Sequence, residues 1–140
     1  MKRTDLAKAR ILVIDREQSS IDELKTVLSK NGYEVVSAMT GREGLEQTSR
    51  QAFDVIISDL LLPDISGLDL LSEIKQSEPD VKVYLMGTHI TPAVILESVN
   101  RGAYDLLYKP FVTSSIIHMI EHSLNRDRRI RINRDNKSVA

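Results

Sequence analysis

The sequence predicts an α/β fold, (βα)5, with the strands in one doubly wound parallel sheet, and three observations carry that expectation. Short apolar runs recur at "ILVI" (11–14), "YEVVSA" (33–38), "FDVIIS" (53–58), "VKVYLM" (81–86) and "YDLLY" (104–108). Several are almost continuously apolar rather than alternating, which is the pattern of parallel strands covered by helices on both faces. Between them lie segments of helical period with their own start and stop signals.

Each helical segment has local reasons. In the first, Ile21, Leu24, Val27 and Leu28 share a face, Ser20 and Glu23 have the spacing of a capping box, and Asn31-Gly32 suits the end. Thr40 and Glu43 open the second, Ser66 a third that stops before Pro79, Thr91-Pro92 a fourth that ends near Gly102, and Thr113 or Ser114 a fifth. The fourth, "PAVILESV", is unusual because Ala93, Val94, Ile95, Leu96 and Val99 spread around more than one face. Part of it is therefore expected outside the core.

A chain of 140 residues with 41% hydrophobic content and a formal charge of −1 suits one globular domain with a sizeable core. The absence of cysteine excludes disulfides and thiolate metal sites and suits a cytoplasmic setting. No apolar run reaches the roughly 20 residues that span a bilayer, and "MKRTDLAKAR" lacks the apolar core of a signal peptide. After Leu124 the composition turns to "NRDRRIRINRDNKSVA", so 126–140 reads as a basic linker or C-terminal tail. Leu124, Ile130 and Ile132 are too sparse for a coiled coil. A solvated helix end explains the arginines without direct nucleic-acid binding.

In open doubly wound sheets, ligands bind beyond the carboxyl ends of the strands, near the switch point of the topology. Those ends carry Asp15, Arg16 and Glu17, then Asp59, then Gly87 and Thr88, then Lys109-Pro110. His89, His118 and His122 show no metal spacing and read as partly exposed helix residues.

Three of these stretches, "ILVID", "VIISDLLLPDISGLDLL" and "GAYDLLYKPF", resemble the receiver domain of two-component response regulators over about residues 9–125. The resemblance implies a flavodoxin-like sheet of strand order 2-1-3-4-5 and a cis Lys109-Pro110 bond. It makes Asp59 the phosphoacceptor for the phosphohistidine of a sensor histidine kinase or phosphotransfer protein, with Lys109 and Mg2+ neutralising the transferred charge. The implied metal ligands are Asp15, Asp59 and the Leu61 backbone carbonyl, with phosphate and water. The chain would then be a regulatory phosphoacceptor rather than a turnover enzyme. It would signal to an effector or a homodimer partner through the fourth helix, Leu106 and Tyr108 of the fifth strand, and the fifth helix. An unrelated flavodoxin-like enzyme fits poorly, because "DREQSS" has no glycine to cradle a phosphate and no Ser-His-Asp or Cys-His arrangement is present.

Three positions depart from the family pattern. Arg16 falls where the second metal-binding acid is usual, and a guanidinium has donors but no acceptor, so Mg2+ binding should weaken. Glu17 is a candidate replacement, although consecutive residues at a strand end point to opposite sides. Gly87 holds the expected hydroxyl position, with Thr88 next along, and Leu106 stands for the switch aromatic. Two functional readings remain: a receiver phosphorylated on Asp59, and a phosphorylation-independent interaction module in which Arg16 takes the place of the metal and pairs with Asp59 or Asp15. Arg16 pointing simply to water is the plain alternative.

Overall fold

The computed structural model describes residues 7–139, with side chains described as far as Arg126. The chain forms two compact units, Met1–Pro110 and Phe111–Ala140. The first holds β1 (Arg10–Ile14), α1 (Gln18–Lys30), β2 (Glu34–Ala38), α2 (Gly41–Arg50), β3 (Val55–Asp59), α3 (Gly67–Ser77), β4 (Lys82–Gly87), α4 (Pro92–Asn100) and β5 (Asp105–Tyr108), and the second holds α5 (Thr113–Val139). The five strands form one sheet in the order β2-β1-β3-β4-β5, with every neighbouring pair parallel.

Burial explains the strand composition. The central strands β1 and β3 are buried at every position, whereas the edge strands β2 and β5 are only partly covered. Leu12, Ile14, Ile56, Val83 and Leu85 of the sheet form a core with Leu70, Leu71 and Ile74 of α3. The register pairs Ile14 with Ser58, which carries Asp15 and Asp59 to one level at the carboxyl edge, and it pairs Asp59 with Met86 and Gly87 with Tyr108.

The helix starts follow the sequence signals, with one correction. Thr40, Ser66 and Thr91 each accept a hydrogen bond from the backbone N–H three residues on, and Pro92 occupies the first turn of α4. By contrast, α1 begins at Gln18 with Glu17 as an uncapped N-cap, so Ser20 lies inside the first turn rather than starting the helix. The cause is local: the Asp15 carboxylate takes the Glu17 N–H and turns the chain into the helix early. Asn31 and Gly32 end α1 as expected, with Gly32 at φ 89°.

Two elements stand apart. In α4 only Ser98 is buried, while Ile95, Leu96 and Val99 are exposed. The expected outward apolar face is thus present, but Leu106 is not part of it. Leu106 is partly buried against the core while Tyr108, two residues on and at the end of the strand, is exposed. Helix α5 spans 27 residues and runs through most of the 126–140 segment, and among its described side chains Ile116, Ile120 and Ser123 are buried. Ile130 and Ile132 lie outside the residues whose side chains are described. Among the described residues, no helix is long and apolar enough to cross a membrane.

Candidate functional site

The site is assembled from the ends of non-adjacent segments. Asp15 follows β1 and is fully buried, Asp59 is the last residue of β3 and is 6% exposed, and Lys109 follows β5. The Lys109 ammonium donates to Asp15 Oδ2 at 2.6 Å and to Asp59 Oδ2 at 2.8 Å. The other two oxygens are met by the backbone, with Glu17 N–H on Asp15 Oδ1 at 2.9 Å and Leu61 N–H on Asp59 Oδ1 at 3.0 Å. Every carboxylate oxygen of the pair therefore has a partner, which is what allows two acids to lie side by side out of water. The Lys109-Pro110 bond is cis, as the resemblance implies.

The electrostatics follow from this packing. Burial pushes the Asp15 carboxyl above its usual 3.8, the Lys109 contact and the Glu17 N–H pull it back in part, and the charge of Asp59 adds to the rise. Burial draws the Lys109 ammonium down, but hydrogen bonds and charge from Asp15 and Asp59 outweigh it and hold the group above its usual 10.5. Lys109 is thus a fixed cation at neutral pH, with its charge facing Asp59.

The loop from β3 to α3 is held from two sides. Asp64 accepts the Gly41 and Arg42 N–H groups at 2.9 Å each, tying the loop to the start of α2. At Gly67 the backbone passes so close to the strand end that an added Cβ would stand 2.5 Å from the Asp59 carbonyl oxygen, and only glycine fits. Above Asp59 opens a cleft of about 430 Å³, lined by Arg16, Glu17, Leu60, Leu61, Gly87, Thr88, His89 and Lys109 among others.

Comparison with known proteins gives this geometry a family. The model of the response regulator receiver domain matches residues 11–121. The chain belongs to that family. It is 30% identical over 112 residues to the chemotaxis protein CheY of Thermotoga maritima, covering 79% of this chain and 93% of that protein. Against the transcriptional regulatory protein ZraR of Escherichia coli K12 it is 32% identical, over 81% of this chain but only 26% of the longer protein. The crystal structure of a CheY-like receiver domain protein from Methanospirillum hungatei superposes with a TM-score of 0.83 at 28% identity, covering 86% of this chain and 96% of that one. This chain is a receiver domain of the two-component response regulators, a regulatory phosphoacceptor family whose members partner with histidine kinases and effector domains.

Against that family pattern, the structure brings the side chains of Asp15, Asp59 and Lys109 into direct contact, while Arg16, Glu17, Leu61, Gly87 and Thr88 line the cleft around them. Arg16 is exposed and makes no ion pair or hydrogen bond among the described residues, so it does not pair with Asp59 or Asp15. Lys109 already satisfies both acids, which removes the pairing on which a phosphorylation-independent module was expected to rest. Glu17 contributes its backbone N–H, and its exposed side chain does not join Asp15 and Asp59: among the described residues no three His, Asp or Glu groups are placed to share a metal. Thr88 is exposed at the cleft. Gly87 is buried, and a Cβ there would stand 2.8 Å from Leu60 Cδ1, so an apolar side chain fills the space next to the expected hydroxyl position. Leu106 packs into the core, where a switch aromatic would swing. His89 lies in the β4–α4 loop at the cleft, not on a helix, while His118 and His122 are exposed on α5.

The contributions of Leu60 and of the two backbone N–H groups went unseen in the sequence. Leu60 carries no local signal. The two N–H groups follow from a recurrent turn, in which an aspartate at a strand end accepts from the residue two positions on. The donor set fits a divalent cation in part. Asp15 and Asp59 offer hard oxygen ligands, and position 16 offers none.

Proposed function

We propose that Asp59 accepts a phosphoryl group from the phosphohistidine of a sensor histidine kinase or phosphotransfer protein. A carboxylate oxygen of Asp59 attacks phosphorus, the P–N bond breaks, and the histidine leaves with the bonding pair and takes up a proton, giving an aspartyl phosphate. The observation that carries this reading is Lys109, whose ammonium bridges the buried Asp15 and Asp59 across strands β1 and β3 at 2.6 and 2.8 Å. A cation fixed there meets the charge that spreads over the transferring oxygens. Asp15, Asp59 and the Leu61 carbonyl are the groups that would hold Mg2+. The ion would add positive charge at the same oxygens, and its hold is weakened because Arg16 supplies no ligand.

The domain acts as a regulatory phosphoacceptor in the cytoplasm rather than as a turnover enzyme. Residues 9–125 form the receiver, and 126–140 a basic linker or C-terminal tail. The output passes through the face on which Leu96 and Val99 of α4 and Tyr108 of β5 are exposed at 64%, 64% and 55%. That much outward apolar surface suits docking of an effector or of a second receiver. The test is intact-protein mass after incubation with acetyl phosphate, with and without Mg2+. Wild type is expected to gain one phosphoryl group and Asp59→Asn none; equal gain by both would overturn the assignment.

A further inference from the structure

We infer that Arg16 is a phosphoryl-binding residue, whose guanidinium grips the oxygens of the group carried by Asp59. The inference rests on the Asp59 reading above. Arg16 stands two residues beyond the end of β1, the strand beside β3, and lines the same cleft as Asp59, Lys109, Gly87 and Thr88. It is the unengaged cation of that cleft: Lys109 is committed to Asp15 and Asp59, whereas Arg16 has no carboxylate partner among the described residues. An arginine beside two acids ordinarily pairs with one of them. Here both are already fully hydrogen-bonded, so its planar donor fork is left for an anion that arrives later.

The rest of the cleft leaves that role open. Gly87 has no hydroxyl, and the space beside it is taken by Leu60. Phosphorylation turns the Asp59 carboxylate into an acyl phosphate with close to two negative charges at neutral pH, beside the Asp15 carboxylate and one shared lysine. Replacing an acid by arginine raises the charge of the site by two units, which is the charge a divalent cation brings. Arg16 thereby does part of the neutralisation that the family pattern leaves to the metal, and it does so through direct hydrogen bonds to phosphoryl oxygens.

The experiment is a time course of intact mass with acetyl phosphate, run with and without Mg2+ and at low salt and 1 M salt, on wild type, Arg16→Gln, Arg16→Lys, Arg16→Asp and Asp59→Asn. It is combined with the NMR resonance of the Arg16 Nε–H before and after phosphorylation. A small-molecule donor removes any contribution of Arg16 to kinase docking. Arg16→Gln is expected to take up phosphoryl about tenfold more slowly, less than the loss at a buried charge-stabilising donor because the side chain is exposed and screened. Arg16→Lys recovers part of the rate, Arg16→Asp becomes strictly dependent on Mg2+, and the wild-type advantage shrinks toward 1 M salt. The Arg16 Nε–H shifts on phosphorylation of wild type and stays put in Asp59→Asn. A wild-type rate in Arg16→Gln, with an unmoved Arg16 resonance in phosphorylated wild type, overturns this inference and leaves Asp59 as acceptor. Undiminished labelling of Asp59→Asn, or no labelling of wild type, overturns the Asp59 reading and this inference with it. Because Arg16 is exposed, its variants should keep the wild-type urea midpoint, so a slowed rate is not a folding defect.

Discussion

The two sides of the cleft are built on opposite principles. On the β1–β3 side, Asp15 and Asp59 are buried and each oxygen is assigned to a donor, either Lys109 or a backbone N–H. On the β4–α4 side, Gly87 offers no side chain, Thr88 is exposed, and α4 buries a single residue, Ser98, while Ile95, Leu96 and Val99 face out. The acid side is over-determined, and the helix side is lightly held. A charged pair out of water is stable only if its hydrogen bonds are complete, so the chemistry demands rigidity there. The proposed response to a new group on Asp59 needs a surface that can move at low cost, and few buried contacts meet that need.

Stability measurements break or sharpen this contrast. The largest difference should lie between helices: Leu70→Ala in α3, fully buried in the core, is expected to lower unfolding free energy by about 2–5 kcal/mol, and Leu96→Ala in α4 by roughly 0.5 kcal/mol or less. Urea unfolding of both variants checks this, and equal losses would show α4 to be as firmly packed as α3.

Next in size is the acid side. Lys109→Met leaves two carboxylates adjacent without their shared cation, with an expected loss of about 2–3 kcal/mol at pH 7. Adding Asp15→Asn should return at least half of it. A double variant no more stable than the single one would mean that Lys109 acts by packing rather than by charge.

The smallest effect belongs to the loop anchor. Slight desolvation raises the Asp64 carboxyl, but the Arg42 and Gly41 N–H groups outweigh it and hold it below the usual 3.8. A carboxyl depressed by folding stabilises the folded state above its unfolded value of 3.8, and that contribution fades as pH falls through the folded value. Asp64→Ala should therefore cost about 1 kcal/mol at pH 7, as for loss of a helix cap, and progressively less below pH 3.8. Urea midpoints of wild type and variant, measured across acid pH, should converge. A constant gap would assign the loss to packing.

Much of this was readable in the chain because the signals are local. Apolar runs marked the strands, Thr40, Ser66 and Thr91-Pro92 marked helix starts, and three family-like stretches placed Asp15, Asp59 and Lys109 on one edge. What the chain hid depends on contacts between distant segments. The pairing of Asp15 and Asp59 is taken by Lys109, which lies far along the sequence, and Arg16 has no carboxylate partner among the described residues. The inward packing of Leu106 depends on the pairing of β5 with β4, and the filling of the space by Gly87 depends on Leu60 from another strand end. Even the start of α1 was moved by a carboxylate before the helix, whose bond to the Glu17 N–H outcompeted the capping spacing of Ser20 and Glu23.

The most direct test of the central claim is to locate the modification. Protein incubated with acetyl phosphate is reduced with borohydride, which converts an aspartyl phosphate to the alcohol, and its peptides are then mapped by mass. The account predicts a single reduced site at Asp59. Reduction at Asp15 or Glu17, or at no residue in fully folded protein, would contradict it.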